Sequence, residues 1–136
     1  MTSTEKEQLI KDFVFSLAEN FGEEEAFVLV CLHKAYSSHM ELTRMATLRG
    51  LSADNGGAMS AKKISAITNY NIDKTRLLLS RLHAAGMVSR NRVDHSWYYE
   101  INENGALALD CLLDKERFPG RRDMIMGKLE GGYSNA

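Results

Sequence analysis

Ile64-Ser-Ala-Ile-Thr-Asn-Tyr-Asn-Ile-Asp-Lys-Thr-Arg-Leu-Leu-Leu-Ser-Arg-Leu-His-Ala-Ala-Gly-Met-Val88 reads as two short helices separated by a tight turn. Ser60, just upstream, is placed to cap a helix over 61–69, whose Ile64 and Ile67 face inward. Asn69-Tyr-Asn71 is the turn, and Asn71 caps the next helix by accepting a free backbone N–H. That second helix is predicted over 72–85. Thr75, Leu79 and Leu82 share one of its faces and pack it on the first helix. Gly86 ends it, because glycine takes positive φ without cost.

Downstream the period changes. Met87-Val-Ser-Arg-Asn-Arg-Val93 and Trp97-Tyr-Tyr-Glu-Ile101 are rich in β-branched and aromatic residues, and the polar Asp94-His-Ser96 joins them as a hairpin. Asn102 caps a helix predicted from Glu103 to about Phe118, with Leu107, Leu109, Leu112 and Leu113 as its apolar side. After Pro119, an amphipathic stretch from Arg121 to Leu129 precedes a frayed end.

Upstream, Thr4 and Glu7 have the spacing of a capping box for a helix over 4–20. Leu9, Ile10, Phe13, Val14 and Leu17 form its apolar stripe, and Gly22 is its expected stop. Glu23, Glu24 and Glu25 complement the dipole at the start of a helix predicted over 23–40. Its body from Ala26 to Tyr36 is apolar nearly all round, so it is either central or sandwiched in a dimer. Leu42, Met45, Ala46 and Leu48 are expected in a short separate helix, and Ser52 to Gly57 concentrates turn formers.

The resulting fold class is mainly α with a small β-hairpin. It has three segments within one structural domain: supporting and dimerising helices over 1–58, a module over 59–118, and a tail over 119–136. The order helix, turn, helix, hairpin, helix is that of a winged helix-turn-helix. The stretch 64–88 resembles the corresponding segment of MarR-like, ArsR-like and PadR-like bacterial regulators through Ile64, Ile67, Asn71, Thr75, Leu79, Leu82 and Gly86-Met-Val88. Trp97-Tyr-Tyr-Glu-Ile-Asn-Glu-Asn-Gly105 is similar to the end of their wing.

The resemblance implies a sequence-specific DNA-binding regulator of transcription. Helix 72–85 would enter the major groove and wing 90–97 would follow the flanking backbone. Asp73, Lys74, Arg76, Leu77 and Ser80 are expected on the outward face of helix 72–85, with Lys74 and Arg76 as groove contacts. Asn71 exposes N–H groups that can take a phosphate. Lys62, Lys63, Arg81, Arg90 and Arg92 are expected phosphate clamps, and His95 is a contact at the wing tip. Trp97 and Tyr99 are expected in packing roles.

Charge agrees locally but not globally. The chain carries a net −1, whereas residues 59–101 hold seven cations against three carboxylates. A local +4 therefore sits on a body of −5, which can orient the molecule towards a polyanion. The contrary sign is the pair Leu77 and Leu78. If both are exposed, they form an apolar patch suited to a winged-helix adaptor that binds protein instead of DNA.

Other classes are disfavoured by pattern. His33, His39, His83 and His95 lack zinc-like spacing with Cys31 and Cys111, so no metal or other cofactor is expected. Cys31 has apolar neighbours that make a thiol inert, against a redox-sensing reading. No nucleophile–base pair or phosphate loop points to an enzyme. No apolar run reaches bilayer length and no signal peptide opens the chain, so a cytoplasmic protein is expected. The long flanking helices predict a homodimer through the first and last of them. A small-molecule effector, if there is one, has its place between those helices and the reading module.

Overall fold

A computed structural model describes residues 2–48 and 57–134, with side chains described outside 42–48 and 131–134. The expected turn over 52–57 lies, apart from Gly57, outside the described residues. The architecture is mainly helical with a small three-stranded antiparallel sheet. The elements in chain order are α1 (Ser3–Ala18), α2 (Glu23–Leu48), β1 (Met59–Ser60), α3 (Ala61–Thr68), α4 (Ile72–Ala84), β2 (Val88–Val93), β3 (Ser96–Ile101), α5 (Glu103–Leu112) and α6 (Arg121–Ser134). No helix among the described residues is long and apolar enough to cross a membrane.

The core is built around α2. Every residue from Ala26 to Leu32 is buried, and the helix packs against α3, α4, α5, α6 and β3. The all-round apolar pattern therefore marks a central helix within one chain. Each of Phe27, Leu29 and Leu32 contributes about 2–3 kcal/mol of burial free energy. Gly22 is not the stop of α1 but the N-cap of α2, since Glu25 Oε2 accepts from its N–H at 3.0 Å. Nothing between Met40 and Leu48 breaks the backbone, so α2 continues to Leu48 and no separate short helix forms.

α1 starts at Ser3, and its cap lies two residues before the expected one. Thr2 Oγ1 caps it by accepting from Glu5 N–H at 3.2 Å, using the same Thr-x-x-Glu spacing as Thr4 and Glu7. Only Val14 and Ala18 of this helix are buried, and it packs on α5. The front of the apolar stripe is left uncovered: Leu9, Ile10 and Phe13 are 54%, 53% and 66% exposed.

The caps of the central segment form as their residues dictate. Ser60 accepts from Lys63 N–H at 3.2 Å, Asn71 from Lys74 N–H at 2.8 Å, and Asn102 from Gly105 N–H at 2.9 Å. Asn69 supplies the left-handed residue of the α3–α4 turn. Gly86, at φ 77°, closes α4 with paired bonds from its own N–H to His83 O and from Met87 N–H to Leu82 O, and Met87 and Leu82 bury together.

The sheet has the order β1-β3-β2, so the hairpin is joined by a strand that the sequence reading lacks. Met59 pairs with Tyr99 and Ser60 with Tyr98, a strand too short to show a period. The hairpin loop is Asp94-His95 alone, with Ser96 already in β3. Both loop residues have positive φ, which a type I′ turn requires.

α5 stops at Leu112 instead of Phe118. Asp114 Oδ1 accepts from Glu116 N–H at 2.8 Å, giving the chain a local alternative to helix. α6 then runs on to Ser134, past the expected end near Leu129, and buries Ile125 and Leu129 against the body.

Candidate nucleic-acid interface

Helix α4 divides its side chains between three directions. Thr75, Leu79 and Leu82 are fully buried against the core. Leu78 is buried as well, so of the two adjacent leucines only Leu77 is exposed, at 52%. A two-leucine surface patch is therefore absent.

The third direction carries the charged groups, and it splits them. Lys74 and Arg81 lie on the side facing α2. Lys74 Nζ forms an ion pair with Glu24 and sits 4.7 Å from the centre of the Tyr70 ring. Arg81 Nη1 lies 3.5 Å from Glu25 Oε1. The acidic first turn of α2 thus engages both cations, and Glu23 adds a third pair with Lys128 of α6 at 2.6 Å. Lys74, expected as a groove contact beside Arg76, thus lies on the α2 side of the helix in an exposed ion pair. Arg81, expected as a phosphate clamp, is exposed and paired with Glu25.

Arg76 and Ser80, one turn apart, point the other way. Together with Ser60, Lys62, His95 and Trp97 they line an open groove of about 420 Å³ between α4, the start of α3 and the hairpin. Four expected site residues, Lys62, Arg76, Ser80 and His95, are brought together there. Lys63 is exposed beside Lys62 but does not line the groove. Asn71 is exposed, with its side-chain oxygen occupied by the cap.

Strand pairing explains where Arg90 and Arg92 go. Arg90 faces Tyr99 and Arg92 faces Trp97, on the same sheet face as Val88 and Ile101. Tyr99 and Ile101 are buried, whereas Trp97 lies beyond the edge of the core at 39% exposure. The Arg90 guanidinium is 4.3 Å and that of Arg92 5.6 Å from the Trp97 ring centre. Trp97, expected in a packing role, is therefore a platform for two cations and a wall of the groove. The available signal was alternation: Arg90, Arg92 and Trp97 share one parity of the hairpin.

The electrostatics of the two sides differ. Lys62, Arg76, Arg90 and Arg92 form no ion pair among the described residues, while the nearby carboxylates Asp73 and Asp94 stay exposed. On the α2 side, burial and the neighbouring Glu24 push the Tyr70 phenol up to about 12. Burial also pushes the Cys31 thiol up to about 12, so at neutral pH it is protonated and unreactive. Among the described residues, His, Cys, Asp and Glu form no group of three able to hold a metal ion.

No protein-family model, curated protein or solved structure matches the chain. The chemistry of the groove rests on its own geometry: a cationic, aromatic-walled cleft at the exposed face of a helix, with backbone fixed by caps on both sides.

Proposed function

We propose that this chain is a winged helix-turn-helix regulator of transcription that binds double-stranded DNA as a homodimer. In this reading α3 and α4 are the helix-turn-helix and β2–β3 is the wing. The observation that carries it is one groove lined by Lys62 and Arg76 whose wall, Trp97, also carries Arg90 and Arg92, all four without ion pairs among the described residues, while the glutamates of α2 engage the cations on the other side. Arg76 and Ser80 read base edges in the major groove. Lys62, Arg90 and Arg92 hold phosphates and set the register, with His95 at the tip of the wing.

The uncovered front of α1 supports the dimer. Leu9, Ile10 and Phe13 border a shallow apolar groove closed by Asn104 of α5, and a second copy of α1 is its complement. Two α4 helices then present to successive major grooves about 34 Å apart. The burial of Leu78 favours this reading over a protein-binding adaptor, because a lone exposed leucine is ordinary on a surface.

The test is fluorescence anisotropy with labelled duplexes from the surrounding promoter. Wild-type affinity is expected to fall steeply with salt as counterions are released. Arg76→Ala is expected to weaken binding about tenfold or more, against less than about threefold for Lys74→Ala. Salt-independent binding, or a larger loss from Lys74→Ala, refutes the assignment.

A further inference from the structure

A second groove, of about 500 Å³, lies between α2, α5 and α6, among residues that the DNA-binding reading does not use. Helical spacing builds it. α2 contributes Val30 and Lys34 one turn apart, α5 and its C-cap contribute Leu109 and Leu113, and α6 contributes Arg122 and Met126. Val30 and Leu109 are buried, and Leu113 and Met126 half-buried, so the floor is aliphatic. No Phe, Tyr or Trp lines it.

The rim is cationic. Lys34, Arg122 and Lys115 of the α5–α6 loop come from three elements to one opening. None pairs with a carboxylate among the described residues, although neighbouring Arg117 and Lys128 both do. Two carboxylates share the rim. Asp114 is committed to Glu116 N–H and to Arg117 at 3.9 Å, which leaves Asp110 as the open negative charge. His33 and Ala106 complete the lining. Three cations without ion pairs face one open carboxylate, so the opening is net positive and favours an anion. The volume is in the range of small-molecule sites.

We infer that this groove binds a small amphipathic carboxylate, with its aliphatic chain on Val30, Leu109 and Met126 and its head among Lys34, Lys115 and Arg122. The aliphatic floor selects a chain over a stacked ring. The inference is independent of DNA binding, because it is measured on the protein alone.

Isothermal titration calorimetry with sodium octanoate, below micelle formation, tests it on the full chain. Saturable one-to-one binding is expected, with octanol at least about tenfold weaker, since only the charged head meets the cations. Lys34→Gln/Arg122→Gln is expected to weaken octanoate binding about tenfold or more, while Lys6→Gln on α1 leaves it unchanged. These positions are exposed, so melting temperatures should stay within about 2 °C of wild type. The absence of saturable octanoate binding, equal binding of octanol, or a double variant that binds as wild type overturns the assignment.

Discussion

The Arg90 guanidinium stacks over the indole of Trp97 at 4.3 Å, on the sheet face that also carries the buried Tyr99. The stack fixes a flexible cation on Trp97, a wall of the α4 groove, before any partner arrives, which lowers the ordering cost of a contact made there. An exposed cation–π pair is worth about 0.5–1 kcal/mol, and Arg92 shares the same ring. Trp97→Ala is therefore expected to weaken duplex binding about three- to tenfold with little change in melting temperature, and Trp97→Phe to retain most of the affinity. Because Trp97 is the sole tryptophan of the chain, its emission reports occupancy of the groove directly. An unchanged spectrum on saturation with DNA would place the interface elsewhere.

Gly105 is required by packing. A Cβ there would lie 2.2 Å from Met87 O and 2.7 Å from Ile101 Cγ1. Met87 O has little room to retreat, because it also accepts from Asn102 N–H at 3.3 Å, and Asn102 Nδ2 donates to Gly86 O at 2.8 Å. Gly105→Ala is expected to cost about 3 kcal/mol or more in urea unfolding. Gly127, in α6 with open space around it, is the internal control. Gly127→Ala should stabilise by about 0.5–1 kcal/mol. Equal effects at the two positions would refute the close approach.

The wing turn stores strain. Asp94 at φ 49° and His95 at φ 68° occupy a region that costs a side-chain-bearing residue about 1 kcal/mol, least for Asp and Asn. Asp94→Asn/His95→Gly supplies the residues that a type I′ turn prefers and should raise the melting temperature by about 3–5 °C. If His95 contacts DNA, the same variant binds more weakly. Gain in stability with loss in affinity is the expected signature, and a melting temperature that does not rise would show that the turn carries no strain.

Alkaline pH should weaken the fold through the buried Cys31 and the half-buried Tyr70. The Cys31 thiol and the Tyr70 phenol are both pushed up to about 12 from 9.0 and 10.0. The folded chain therefore keeps protons that the unfolded chain releases, so stability is full below about pH 9 and declines towards pH 12. Cys31→Val/Tyr70→Phe should flatten that decline between pH 9 and 11, read as melting temperature against pH. In the folded wild type, iodoacetamide at pH 8 should leave Cys31 unmodified for as long as the chain stays folded.

Much of the fold was legible because it is written locally. Ser60, Asn71 and Asn102 cap the helices they precede, and Gly86 closes α4, since each decides by its own side chain or its lack of one. What escaped depends on neighbours distant in sequence. Lys74 and Arg81 carry nothing that separates them from Arg76 until Glu24 and Glu25 are placed beside them, some 50 residues upstream. Trp97 reads as a packing residue because aromatic residues in strands usually are, and only the pairing register puts it past the core edge. β1, with two residues, has no period to read. α5 ends where Asp114 competes for the backbone, five residues before the proline that seemed the natural stop.

Among the described residues β2 lies at the edge of the sheet, bonded to β3 on one side. Six residues of extended backbone with free N–H and C=O groups are a template on which another chain can pair, and such edges seed aggregation. The sequence Val88-Ser-Arg-Asn-Arg-Val93 resists this with polar residues between its two valines. A second strand laid along β2 in the same register would set its own arginines against Arg90 and Arg92. The two cations that stack on Trp97 thus also guard the solubility of the hairpin, and replacing both by apolar residues trades that protection for a sticky edge.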